Sequence, residues 1–167
     1  NPERKKVIAQ AVQAGINYFD TTFTEEVQSL GSITEELGCK NDILISGQLI
    51  NVVSKAAELG VRGTKRHIAS DLEERLKLLG RDYFDVLVIC AIHNDYDSGR
   101  AQDVVDMVVR HQEAGKFRFL GVSSHDLAIL HEVLKLDLPV DIVMLPYNYA
   151  VESNWGDLYG EIPGLLE

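Results

Sequence analysis

The chain has 167 residues, enough for one ordinary domain with a sizeable core. Its composition, 46% hydrophobic and 25% charged, is that of a soluble globular protein. Sixteen basic against 26 acidic residues leave a formal charge of −10, which argues against nucleic acid and anionic membrane as partners and leaves room only for a local basic pocket for phosphate.

In chain order the pattern alternates helix and strand. "PERKKVIAQAVQAG" opens on Pro2 as a helix starter and stops at Gly15. "INYFD" (16–20) is a short strand, and "TEEVQSLGSITEELG" (24–38) a helix closed by Gly38. "DILISG" (42–47) is a second strand. "QLINVVSKAAELGVRGT" is less regular and is expected to be a loop with a helical turn. "KRHIASDLEERLKLLG" (65–80) places Ile68, Leu72, Leu76 and Leu79 on one helical face. "FDVLVICA" (84–91) is a third strand, "AQDVVDMVVRHQEAG" (101–115) a helix, and "FRFLGVSS" (117–124) a fourth strand. "DLAILHEVLKL" (126–136) is a helix, "VDIVMLPYN" (140–148) a fifth strand, and "GDLYGEIPGLLE" the start of a further helix.

The strands are continuous apolar runs, as in parallel strands covered on both faces. Repeated βα steps predict an α/β domain with a parallel sheet. No GxGxxG follows the first strand, no low-complexity linker divides the chain, and residues 1–167 are expected to form a single domain. Cys39 and Cys90 are far apart and in no CxxC pattern, so a disulfide framework is not supported and a reducing compartment is expected. The longest apolar run, "VLVICAI" (86–92), is too short to span a bilayer, and "NPERKKVIAQ" lacks the apolar core of a signal peptide, so a cytoplasmic location is expected.

Polar groups recur at the C-terminal ends of the strands: Asp20, Ser46 with Gln48, Cys90 with His93, Ser123 with Ser124 and His125, and Asn148. Strand ends are polar in any α/β protein, where the chain leaves the core. In a (β/α)8 barrel they also carry the chemistry. His93, Asp95 and Asp97 with His125 match no specific metal spacing, and no metal site is assigned. Cys90, at an apolar strand end, has the setting of an inert buried thiol more than that of a nucleophile. Trp155 fits either packing under a loop or the lining of a pocket mouth.

Four segments resemble the aldo-keto reductases: "AVQAGINYFDTT", "DLEERLKLLGRDYFDVLVI", "EAGKFRFLGVSSHD" and "VDIVMLPYN". Their order and spacing agree over nearly the whole chain. The resemblance implies a (β/α)8 TIM-type barrel, with about five of its eight βα units present, that binds NADP(H) and reduces small aldehydes or ketones. It also implies an Asp, Tyr, Lys, His active site. Asp20 matches the aspartate. Glu25 and Glu26 stand where the tyrosine is expected, Gln48 at the lysine, and Cys90 at the histidine, with His93 three residues further on. Without the Tyr and Lys the proton donor is missing, and Asp20 is expected to be a buried carboxylate lacking a cation. For the cofactor carboxamide, Ser123 matches the family residue, Ser124 replaces an Asn and Met144 replaces a Gln.

Three functional readings follow: a nicotinamide-dependent oxidoreductase with altered catalytic residues, a catalytically silent member that binds a ligand or protein partner, or a barrel with lyase-, hydrolase- or metal-type chemistry using Asp20, Glu25, Cys90 and His93. The open edges of a five-stranded arc predict self-association.

Overall fold

The computed structural model describes residues 2–90 and 97–145. Helix α1 (Pro2–Gln13) leads through Gly15, at φ 86°, into strand β1 (Tyr18–Thr21). Helix α2 (Thr24–Leu37) starts where the Glu26 carboxylate accepts the N–H groups of Thr22 and Phe23, and it ends at Gly38 in the left-handed region. Strand β2 (Leu44–Ile50) is followed by α3 (Val52–Leu79), β3 (Phe84–Cys90), α4 (Ser98–Glu113), β4 (Phe117–Ser123), α5 (Leu127–Lys135) and β5 (Ile142–Met144). Asp97 and Asp126 cap α4 and α5, accepting from Arg100 N at 2.7 Å and from Ala128 N at 2.9 Å.

The strands lie side by side in sequence order and every pairing is parallel. With a helix crossing over between each pair, this is a curled half-barrel, part of the (β/α)8 barrel expected from the sequence. Alternation divides each strand between two faces. Ile45, Leu49, Leu87, Ile89, Leu120 and Val122 face outward into the main core. There they meet Val27 and Leu30 of α2, Ile68 and Leu72 of α3, Val104 and Val108 of α4, and Leu130 and Val133 of α5. The opposite faces carry Asp20, Ser46, Gln48, Val86, Val88 and Ser123 into the concave side. Gly121 belongs there too, and a Cβ on it would come within 3.0 Å of Val88 Cγ2.

The stretch expected to be irregular is helical. Helix begins at Val52, and only Gly60 departs from it, with φ 62° and ψ 174°. Two glycines, Gly60 and Gly63, made this segment read as a loop. In fact two helical segments meet at Gly60, in a backbone conformation that only glycine adopts easily. Strand β1 begins two residues later than the apolar pattern suggested, β2 runs on to Ile50, and the described part of the fifth strand is Ile142–Met144. The segment 146–167, with Asn148 and Trp155, lies outside the described residues, as do His93 and Asp95.

Candidate functional site

The C-terminal ends of β1 and β2 are in register, with Asp20 opposite Ser46 and Thr21 opposite Gly47. Register and the pleat bring Asp20, Ser46 and Gln48 to the same face. The Ser46 hydroxyl donates a short hydrogen bond to Asp20 Oδ1, and Gln48 Nε2 donates to Asp20 Oδ2 at 2.7 Å. Both donors are buried, whereas Asp20 itself is exposed. The expectation of a buried carboxylate is therefore corrected. On an edge strand of an open arc the carboxylate reaches water, and two neutral donors satisfy its oxygens in place of a cation. No basic group pairs with it among the described residues.

Gln48 also ties the site across the concavity. Its Nε2 lies 4.0 Å from Met144 Sδ, two strands beyond β3. Only a strongly curled sheet brings β2 and β5 that close. Met144 is in register with Ser123, whose side chain is buried at the end of β4. Ser124 is buried as well, and its hydroxyl accepts the Asp126 N–H at 3.0 Å, which holds the turn into α5. Cys90 ends β3, half-buried and with a free thiol, next to Ile50 in the register; its carbonyl accepts the Asn51 N–H at 3.1 Å. Glu26, a candidate for the tyrosine position, is committed to the start of α2, while Glu25 lies beside it in the first helical turn. The structure thus joins Asp20, Gln48 and Met144 by contact, places Ser123 and Cys90 at neighbouring strand ends, and assigns Ser124 to a turn.

Two further groups hold the site. Thr21 Oγ1 donates to the Ser46 carbonyl at 2.7 Å, binding β1 to β2 beside Asp20. Arg75, buried on α3, donates to Asp71 at 3.0 Å and to the Thr22 carbonyl at 2.9 Å. Its signal in the sequence was an arginine one residue before Leu76 on an otherwise apolar helix face. Among the described residues no group of three His, Cys, Asp or Glu side chains is arranged to hold a metal ion, and no helix is long and apolar enough to cross a membrane.

Comparison with known proteins agrees with the geometry. An uncharacterized oxidoreductase of Schizosaccharomyces pombe is 23% identical over 136 residues, which is 81% of this chain and 48% of the relative. A thermostable aldo-keto reductase superposes with a TM-score of 0.72 at 19% identity, over 98% of this chain and 56% of its own. A Bacillus halodurans aldo-keto reductase superposes at 0.64 and 20% identity, over 94% of this chain and 50% of its own. Aldose reductase from Giardia lamblia does so at 0.66 and 14% identity, over 98% and 60%. The chain spans about half the length of the curated Schizosaccharomyces pombe relative. A profile for the aldo/keto reductase family matches residues 1–155, and with the parallel half-barrel described above the chain belongs to that family.

Proposed function

We propose that the protein is a nicotinamide-dependent oxidoreductase acting on small carbonyl compounds, with an altered catalytic set in which an Asp20–Gln48 pair takes the place of the family's Asp and Lys. Family membership supports the redox class. The observation that carries the altered set is the 2.7 Å bond from Gln48 to Asp20, at the strand ends where barrel chemistry sits.

The fit to a nicotinamide rests on Ser123. Its buried side chain sits at the end of β4, and its hydroxyl has no partner among the described residues, which suits one contact to a carboxamide. Met144 beside it offers a thioether, a weak acceptor only. When bound, the dihydronicotinamide supplies a hydride. Asp20, Ser46 and Gln48, tied by two hydrogen bonds, would form one fixed wall of the site. The carbonyl oxygen still needs a proton, and among the described residues no Tyr or Lys hydrogen-bonds to Asp20 to provide it. A positioned acid contributes roughly 10²–10⁴-fold to such a step, so turnover is slow.

The neutral Gln48 amide also supports a second reading, a silent member that binds ligand without turning it over. Titration of the full protein with NADPH, followed by nicotinamide fluorescence, and an assay of its consumption with a panel of aldehydes and quinones separate the two. Binding with turnover below about 1 s⁻¹ that depends on Asp20 supports the oxidoreductase; about 1 s⁻¹ and above is the ordinary enzymatic range. Binding with no turnover favours the silent reading. No binding of NADPH sinks the oxidoreductase.

A further inference from the structure

The wall at the ends of β1 and β2 presents acceptors that no cation pairs with among the described residues. Both hydrogen-bond donors to the Asp20 carboxyl, the Ser46 hydroxyl and the Gln48 amide, are neutral. The Gln48 amide turns its nitrogen towards Asp20 Oδ2. Its carbonyl oxygen then points away from Asp20, and no described group donates to it. Met144 Sδ completes the wall as a further weak acceptor. Glu25 and Glu26 follow β1, while Asp97 and Asp126 follow β3 and β4, where Arg100 and His125 are the basic neighbours in sequence. The buried cation at this end, Arg75, is committed to Asp71 and the Thr22 carbonyl. A ligand seated here meets lone pairs and negative potential.

We propose that the substrate class of this site is cationic: small carbonyl compounds that also carry a protonated amine, seated with the ammonium against Asp20 and the Gln48 carbonyl oxygen. This deepens the oxidoreductase reading and rests on it for the carbonyl half. The ammonium brings three donors and one positive charge to acceptors that no cation pairs with among the described residues. A carboxylate-bearing or plain alcohol ligand of the same size gains neither.

The test uses the full protein and three matched probes, n-butylammonium, 1-butanol and butyrate, titrated by calorimetry into the wild type, Asp20→Asn, Asp20→Glu and Gln48→Lys. The expected result is butylammonium binding about tenfold or more tighter than butanol, a difference of one decade in dissociation constant. Asp20→Asn and Gln48→Lys abolish that preference, and Asp20→Glu keeps part of it. A preference that weakens with added salt in the wild type supports the same assignment without any variant, should Asp20→Asn fail to fold. Equal binding of butanol and butylammonium, stronger binding of butyrate, no binding of any probe, or a preference surviving in a folded Asp20→Asn protein each overturns it. NADPH titrated into the same samples separates the two readings: its failure to bind sinks the oxidoreductase while the amine preference is judged on the probes alone.

Discussion

The guanidinium of Arg75 crosses from α3 to the carbonyl of Thr22, 2.9 Å away and two residues past Asp20. This buried, charge-assisted bond fixes the turn out of β1, and Asp71 at 3.0 Å holds the arginine in place. Arg75→Met keeps the apolar stem and deletes both bonds. Hydrogen bonds to charged groups contribute about 1.5–3 kcal/mol each, so the variant is expected to lose about 2 kcal/mol or more. Urea unfolding should show a lower midpoint at unchanged slope. A loss under about 0.5 kcal/mol, the level of a bland surface change, would mean that water replaces the guanidinium freely.

Gly31 is the contact between α2 and α3. A Cβ built there lies 2.6 Å from the Leu79 carbonyl oxygen and 2.8 Å from Leu79 Cα, both backbone atoms that cannot swing aside. Gly31→Ala should therefore separate the helices and cost about 1–3 kcal/mol, the range for overpacking. Elsewhere in a helix the same change helps, by about 0.5–1 kcal/mol. A neutral or stabilising result in thermal unfolding would refute the close crossing.

His111 gives a pH dependence. Burial, the larger influence, lowers its pKa from 6.5; Glu73 opposes that and Lys116 adds to it. The folded state thus prefers the neutral ring. The unfolded chain binds the proton first, so stability is fully present above about pH 6.5 and falls as the pH drops through the lower folded value. His111→Gln should flatten this slope on the acid side of neutrality. An unchanged slope in chemical denaturation at a series of pH values would assign it to other groups.

The open arc leaves apolar side chains in water on the concave face. Tyr18, Leu44 and Phe119 are 38%, 41% and 44% exposed, and Tyr18 and Leu44 are register partners. Among the described residues β1 and β5 are the outer strands of the sheet, so residues 1–167 should self-associate at high concentration. Leu44→Lys should shift sedimentation velocity towards the monomer. A monodisperse wild-type chain at the same concentration is the contrary outcome.

How far the sequence disclosed this structure depends on the residue. The apolar runs of "DILISG" and "FDVLVIC" announced parallel strands, and they do form β2 and β3, buried along their length except at Leu44 and the last residue of each. The helix over 52–64 stayed hidden because its glycines carry opposite meanings: Gly60 takes a backbone angle that only glycine adopts easily, while Gly63 is ordinary helix. At the site, spacing placed Asp20 and Gln48 at successive strand ends. It carried no information on the solvent exposure of Asp20, which depends on the strands that flank it in space. The Gln48–Met144 contact was equally illegible, since it spans 96 positions of sequence and exists only through the curl of the sheet.

One further pattern runs along the opposite end of the sheet. Asp85 Oδ2 accepts the Ile45 N–H at 2.9 Å, and Asp141 Oδ2 accepts the Leu120 N–H at 2.8 Å. Each carboxylate stands beside the residue it caps on the neighbouring strand. A slide of β3 along β2 by two positions would leave every side chain on its proper face, so burial alone scarcely opposes it. The Asp85 carboxylate does oppose it, because it would leave Ile45 behind while still bound to Arg81 and Arg118. These two aspartates act as alignment keys, cut so that each strand locks at one setting. Replacing them by alanine would give a protein with several strand alignments, visible as multiplied amide resonances, before it gave one that is unfolded.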